Sequence, residues 1–334
     1  MAGRPDASGL RVDSAWPAWL SPIGWGQQMR PYGGDHWWPL SLAVVLFVAC
    51  VGAAALLATR RDFGHGMLPQ RRGHAQAGPV LRSPLGLAWR LQRGALLGWA
   101  AGMLGFGLVM GGLAGQVRDA ATGTACDWYT RMGGSQQILD AYRSSVLQMA
   151  AMAAAIYVVQ VLLRMRTEED DGPLEPILAT AVSRTRWAAS HALTALLGAS
   201  ALVLLFATGT ALAAGGVLGN PAGELRTLLG ATLVQLPGIL AIGAAVIVAV
   251  GLLHRVAGAV SWAVLMASIL IGPLFGPALK VPQWAQDLSP FTHVPKAPAV
   301  PVTAAPLLGL VAVVAALTAV GLVSLRRRNL ALPA

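Results

Sequence analysis

The residues best suited to chemistry lie in one short charged stretch, 164–187, with the sequence RMRTEEDDGPLEPILATAVSRTRW. It carries five of the chain's 14 acidic residues and lies between two long apolar runs. A charge at the middle of a bilayer costs roughly 2.5–3.5 kcal/mol even on lenient scales. We therefore expect this stretch to be a water-exposed connection between two membrane spans.

The second half of this stretch has the pattern of a short amphipathic helix. Asp171 can cap it, Pro173 suits its first turn, and Glu175 favours the positive N-terminal end. An acidic loop followed by such a helix could dock on a partner protein, and the alternative is a solvated loop with a helix at the membrane interface. The apolar residues that share one helical face are Leu174, Ile177, Leu178 and Val182.

Other chemistry is not indicated by the sequence. Its only lysines, Lys280 and Lys296, do not follow a glycine, so the chain has no P-loop for ATP. The motifs H-E-x-x-H, C-x-x-C and G-x-S-x-G do not occur. The histidines are scattered, and His65 and His74 share a loop without further ligands. We expect no catalytic residue, no cofactor and no metal, and we expect His191 and His254 to lie at the membrane interface.

The composition predicts an all-α polytopic membrane protein. Hydrophobic residues make up 55% of the 334 residues and charged residues only 11%, whereas about 25% charged is usual. The net charge of +10 does not indicate nucleic acid, because the arginines lie beside apolar runs as topology signals do. Spans of about 20 apolar residues are predicted at 38–58, 94–115, 144–163, 188–215, 227–253, 259–276 and 304–325.

The distribution of basic residues predicts the orientation. The connections 59–93, 164–187, 254–258 and 326–334 carry 15 of the 24 lysines and arginines. The richer set should face the cytoplasm. The N-terminus is then outside, and the C-terminus and the acidic stretch are inside.

An internal repeat predicts the domain organisation. The pattern W-x-x-x-L-S-P occurs at Trp16 and again at Trp284, and each copy precedes an apolar span that ends in arginines. The motif and the span end share one offset of 268 residues, which favours duplication over coincidence. We expect 1–79 to be the tail of a first repeat and 80–334 to be a six-span second repeat. On the order of 200 residues with five spans would then be missing from the first.

Residues 80–93 read as a helix lying at the inner interface, starting near Ser83 and Pro84. The alternative is a basic flank of the next span.

The spans themselves lack acidic residues at depth, unlike those of proton- or sodium-coupled carriers. A largely apolar interior suits hydrophobic cargo, and it implies an external energy source. Three amides in the spans could face a transport pathway or join helices, and we favour contacts between helices: Gln148, Gln160 and Gln235.

The run EEDDGPLEPILATAVSRTRWAASH, 168–191, resembles the cytoplasmic loop of bacterial ABC transporter permeases of the type-two export class, the exporters of polyketide antibiotics. In that family, the loop has acidic residues followed by the pattern E-P-L-L-A-T-x-V-S-R-x-R-W and a nearby histidine. In this chain, Ile177 stands where the pattern has a leucine. Segments 20–40 and 81–99 also resemble the family. The matching residues are Glu175, Pro176, Leu178, Ala179, Thr180, Val182, Ser183, Arg184, Arg186, Trp187 and His191.

The resemblance implies a permease of two six-span halves in a bacterial plasma membrane, working with a separate ATPase subunit. It implies that 164–187 is the loop that couples to this ATPase, and that 80–93 is a connecting helix. A missing first half, or a second copy of the chain, would complete the permease. The implied coupling residues are Glu168, Glu169, Asp171, Glu175, Pro176, Ile177, Leu178, Thr180 and Arg184.

We therefore expect the chain to be the membrane subunit of an ATP-driven exporter of hydrophobic or amphipathic compounds, such as antibiotics. The alternative is a non-transporting membrane scaffold, or a pseudo-permease left by truncation. A coupled secondary carrier is disfavoured by the acid-free spans, and a membrane enzyme by the lack of a catalytic cluster.

Overall fold

The computed structural model of the chain describes residues 19, 22–29, 36–59, 83–121, 134–170, 182–273 and 275–328. The regular structure in these ranges is helical. The chain divides into two compact units, 1–75 and 76–334, and each is described here by itself.

The helices are numbered in chain order. They are α1 (Pro22–Gln28), α2 (Pro39–Thr59), α3 (Pro84–Gly112), α4 (Ala114–Ala121), α5 (Gly134–Asp170), α6 (Arg184–Leu218), α7 (Pro221–Leu233), α8 (Leu236–Leu252), α9 (Ala257–Ile271), α10 (Gln283–Gln286) and α11 (Ala304–Arg327). Short 3-10 turns cover His254–Val256 and Pro290–His293.

The prediction of seven membrane spans is confirmed. Counted within the described ranges, seven helical segments are long and apolar enough to cross a membrane, and each overlaps a predicted span. The orientation of the termini stays a prediction. The segments are Pro39–Thr59, Pro84–Asp119, Gln137–Asp170, Arg184–Leu218, Pro221–Leu252, His254–Ile271 and Ala304–Arg327.

In the first unit, α1 and α2 are joined by an aromatic contact. The rings of Trp19 and Trp38 stack with their centroids 5.2 Å apart, and the indole N–H of Trp25 donates to the Trp19 carbonyl at 2.6 Å. The large side chains of α2 are exposed, as Phe47 shows at 69%. A helix that is apolar on every side needs hydrocarbon or other helices around it.

Helix α5 is the centre of the second unit. Nearly three quarters of the most apolar stretch of α5 is buried inside the protein, whereas only about a tenth of the corresponding stretch of α11 is buried. Its middle is built from alanines with essentially no exposed surface: Ala150, Ala151, Ala154 and Ala155. Lipid is as apolar as a core side chain, so spans associate through close packing, which small residues allow.

Helix α3 packs on α6 through glycines. A Cβ built on Gly107 would lie 2.3 Å from the Phe206 carbonyl oxygen, and one on Gly111 would lie 2.2 Å from that of Thr210. The two backbones are therefore in direct contact here. On another face of α3, Gly102 has open space where its Cβ would be.

The long fifth span is interrupted near Pro237. Helix α7 ends at Leu233 and α8 starts at Leu236, which places Pro237 in the first turn of the new helix. Proline has no N–H to donate and its ring clashes with the carbonyl four residues earlier, so a continuous helix is disfavoured. The preceding helix α6 ends at Gly219, whose φ of 79° suits glycine.

The helix start at Ser83 and Pro84 is also confirmed. The Ser83 hydroxyl accepts from the Gly86 N–H at 3.0 Å, with Pro84 at the first helical position. No break then separates 80–93 from the span, because α3 runs unbroken to Gly112. Its placement at the membrane interface stays a prediction.

A matched pair of alanine substitutions in α3 tests the close packing. We expect Gly107→Ala to destabilise the chain by about 1–3 kcal/mol, because the new Cβ overpacks the α6 backbone. Gly102→Ala should leave stability unchanged or raise it by up to about 1 kcal/mol, because alanine is the better helix former. Thermal unfolding in detergent measures both. Equal melting temperatures for the two variants would contradict this packing.

Candidate functional site

The acidic stretch singled out by its sequence is partly buried. Helix α5 continues through Glu168 and Glu169 to Asp170, and the two glutamates are only 7% and 2% exposed. The expectation of a water-exposed connection was therefore wrong for this part of the stretch. Buried carboxylates need partners, and each one here has them. We call Glu168, Glu169 and Asp170 the acidic cluster.

Glu168 joins α5 to α6 and, through one more residue, to α3. Its Oε2 accepts from the indole N–H of Trp187 at 3.0 Å and is hydrogen-bonded to Nε2 of His191 at 3.1 Å. The other ring nitrogen of His191, Nδ1, lies 3.1 Å from the side-chain amide of Gln92 on α3. The His191 side chain is 1% exposed and therefore lies inside the protein, and its position at the membrane interface stays a prediction.

Glu169 joins α5 to the end of α11. Its two oxygens accept from Nη2 of Arg328, at 2.6 Å for Oε1. The Glu169 side chain is 1% exposed and that of Arg328 is 19% exposed, so solvent screens this pair little. Nδ1 of His254 lies 3.6 Å from Glu169 Oε2.

Asp170 is the exposed member of the cluster, with 43% of its side chain accessible. It is bonded to Nε2 of His254 at 2.9 Å and accepts from Nε of Arg166 at 3.2 Å. His254 belongs to the 3-10 turn between α8 and α9, so this contact extends the cluster to a further pair of helices.

Arg328 connects the remaining helix ends. Its Nη1 donates to the carbonyl of Val250 on α8 at 3.2 Å, and its own carbonyl accepts from Nη1 of Arg184 at 2.6 Å. Arg184 is the first residue of α6 and follows the cap Ser183. Six spans are therefore tied together at this end of α5, directly or through one further residue: α3, α5, α6, α8, α9 and α11.

The structure brings together three of the nine predicted coupling residues, Glu168, Glu169 and Arg184. The other six lie outside the described residues, together with the predicted amphipathic helix: Asp171, Glu175, Pro176, Ile177, Leu178 and Thr180. The described chain leaves α5 at Asp170 and returns at Val182. The residues that flank the segment 171–181 are Asp170 of the acidic cluster and Val182, two positions before Arg184.

Sequence reasoning missed four partners of the cluster: Gln92, His254, Arg328 and the Trp187 indole. Arg328 was read only as a topology signal, and its partner Glu169 lies 159 residues away. Gln92 is 4% exposed on an otherwise apolar face of α3, and that lone polar residue was the available signal. The predicted contact role of Gln160 is confirmed, since it accepts from the Trp99 indole at 3.0 Å.

A second buried charged group lies at the opposite end of α5. The Arg143 guanidinium donates to both carboxylate oxygens of Glu224 on α7, and it also bonds Asp140. Its neighbour Ser144 donates to the Lys296 carbonyl at 2.9 Å. Arg143 and Glu168 are 25 residues apart, which is about 37 Å at the rise of a helix. The hydrocarbon core of a bilayer, about 30 Å thick, fits between the two groups.

The acidic cluster joins the ends of several helices. Glu168 Oε2 and both oxygens of Glu169 accept hydrogen bonds, and Glu168 Oε1 lies 3.6 Å from Nε of Arg164. Among the described residues, no group of His, Cys, Asp or Glu is arranged to hold a metal. Removing one partner from a buried ion pair costs about 3–5 kcal/mol, because the other charge is left uncompensated. Separating the helix ends that are joined here is therefore costly.

Comparison with known proteins identifies the family. The model of the family "Multidrug efflux system permease Rv1217c, C-terminal domain" matches residues 81–326, which is most of the second unit. The chain belongs to this family. A curated relative, the multidrug efflux system permease protein Rv1217c of Mycobacterium tuberculosis (strain ATCC 25618 / H37Rv), is 39% identical over 317 residues. The resemblance to export permeases is confirmed at this level.

The match covers 93% of this chain and 57% of the relative, so the chain spans little more than half of the relative's length. Family and fold agree, since this family member has seven apolar helices of spanning length within the described ranges. It is a multi-pass protein of a bacterial plasma membrane.

Substitutions within the acidic cluster test its burial. Glu169→Gln keeps the size of the side chain but removes the charge that compensates Arg328. We expect a loss of about 3–5 kcal/mol of stability. Asp170→Asn is the matched control, and its exposed pairs should contribute only about 0–1 kcal/mol. Equilibrium unfolding in mixed micelles measures both. Similar losses for the two variants would show that Glu169 is not a buried ion-pair partner.

Proposed function

We propose that the chain is the membrane-spanning part of an ATP-driven exporter of hydrophobic or amphipathic compounds. The family match supports the transport role, because the relative's name is that of a multidrug efflux system permease. A transporter subunit rather than an enzyme also fits the described residues, which carry no metal-binding group and no motif for ATP.

The energy source in this proposal is a separate ATPase subunit that docks on the segment 164–187. One observation supports the docking site: Asp170, the residue before the segment 171–181, belongs to the acidic cluster, which is linked to five other spans directly or through one further residue. A displacement of the segment by a docked ATPase would act directly on those helix ends. ATP binding could then bias the spans between inward-facing and outward-facing arrangements.

The proposal includes further membrane-spanning sequence as a partner. The relative is considerably longer than the part matched here, and the internal repeat favours a first half of similar design. A separate chain with that half, or a second copy of this chain, would complete the permease. The competing function is a non-transporting scaffold, and co-purification with a P-loop ATPase separates the two.

A double substitution tests the docking. We expect Glu175→Arg with Leu178→Asp to abolish cargo-stimulated ATPase activity in the reconstituted complex and to leave membrane insertion intact. The change reverses one charge of the proposed contact surface and puts another in place of an apolar contact residue. The matched control is Asp287→Arg with Leu288→Asp on the exposed connection after α9. Full activity of the first variant would exclude 164–187 as the coupling segment.

Cysteine labelling tests the orientation. In a background with Cys50→Ser and Cys126→Ser, we expect a membrane-impermeant maleimide to label Asp287→Cys in intact cells. Glu175→Cys should react only after the cells are permeabilised, because the connections rich in basic residues face the cytoplasm. Labelling of Glu175→Cys from outside would place the acidic segment on the wrong side for a cytoplasmic ATPase.

A further inference from the structure

An apolar cavity of about 290 Å³ lies between four spans of the second unit. Its walls come from α5, α6, α8 and α11, and they include Val158, Leu162, Ala192, Ala244 and Thr318. Val158, Leu162 and Ala244 are at most 2% exposed and form a buried floor, while Leu193 at 40% exposed marks the side on which the cavity is open. The volume is close to the lower limit of ligand pockets, about 300 Å³.

Small residues create this space. Ala192 and Ala195 on α6 and Gly243 and Ala244 on α8 line two of the walls and fill little of the room between the helix axes. The helices cannot easily close around it, because α8 is already in contact with α5: a Cβ on Gly243 would lie 2.9 Å from Val158 Cγ1. In hydrocarbon, a space of this kind lacks contacts unless an apolar group occupies it.

The chemistry of the lining selects the occupant. The lining residues are apolar except Thr318, which supplies the only side-chain hydroxyl among them. A charged or strongly polar group would lose its hydration here without gaining partners. An alkyl chain or an aromatic ring would lose nothing and would gain close contacts with the walls.

The position of the cavity connects it to the acidic cluster. Leu162 is six residues before Glu168 on α5, about 9 Å along the helix. Ala192 directly follows His191, the residue that bonds Glu168. An occupant therefore touches α5 and α6 within two turns of the contact that holds their ends together.

We propose that this cavity binds the hydrocarbon part of the exported compound. The inference rests on the proposed function, since only an exporter has such cargo. The wider groove on α3, about 500 Å³ and lined by Gly98, Trp99 and Phe106, is formed almost wholly by that one helix. The groove on α3 therefore has one wall, whereas the cavity is bounded by four helices.

Photolabelling of the full chain in lipid nanodiscs tests the site. The probe is dodecane that carries a diazirine, and adducts are mapped by mass spectrometry. We expect adducts on α6 and α11 near Leu193 and Thr318, and competition by unlabelled dodecane. Ala192→Phe fills the cavity and should reduce these adducts about tenfold. Ala201→Phe, at an exposed position of the same helix, is the matched control and should leave them unchanged.

A second variant and a second probe make the result decisive. Thr318→Phe fills the cavity from α11 and should reproduce the loss, so the test does not depend on one fold-sensitive site. A phosphatidylcholine with the same diazirine on its acyl chain is the lipid arm. Cavity adducts from this lipid that dodecane does not displace would overturn the proposal in favour of a bound lipid. Equal dodecane adducts in all the variants would overturn it as well.

Transport is measured separately in the reconstituted exporter. We expect Ala192→Phe to lose cargo-stimulated ATPase activity and Ala201→Phe to keep it. If the wild-type chain is labelled in the cavity but supports no ATP-dependent transport, the proposed function fails and the hydrocarbon site remains. If transport is intact in Ala192→Phe while the cavity is filled, the cargo assignment fails and the proposed function remains.

Discussion

The structure of the second unit depends on the pairing of charges at both ends of α5. A helix that crosses hydrocarbon can bury a carboxylate or a guanidinium only with a partner that compensates it. Glu168 and Glu169 find theirs on α6 and α11, and Arg143 finds its partner on α7. Each pair joins a different helix to α5. The central position of α5 follows from these requirements.

Between the two charged groups, the packing relies on small residues instead. The alanines at the middle of α5 are fully buried, and the glycines of α3 bring its backbone against that of α6. Close packing of this kind supplies contact energy in a lipid environment, where burial of apolar surface supplies little. The combination leaves the ends of the bundle fixed by ion pairs and the middle shaped by side-chain volume. A cavity lined by alanine and glycine is compatible with both.

The sequence alone was sufficient to predict the seven spans and the start of α3, because each depends on local hydropathy or local backbone chemistry. The sequence was insufficient to predict the burial of the acidic cluster. Glu168 and Glu169 look like solvated loop residues until their partners are known, and these lie 23 and 159 residues away. The pair of Arg143 and Glu224, 81 residues apart, was missed for the same reason. A charge near the end of a span gives no local sign of whether it is paired.

The two ends of α5 differ in what they can transmit. The end at Arg143 is joined to α7 and to the backbone near Lys296, so it fixes neighbouring elements to one another. The end at Glu168 and Glu169 adjoins the segment 171–181 and bonds helices that are distant in the chain. A displacement of that segment meets buried ion pairs within one turn of the helix, and separating them is costly. The lower-energy response is for α5, α6 and α11 to shift together as packed bodies, and the cavity between them would change its shape in that movement.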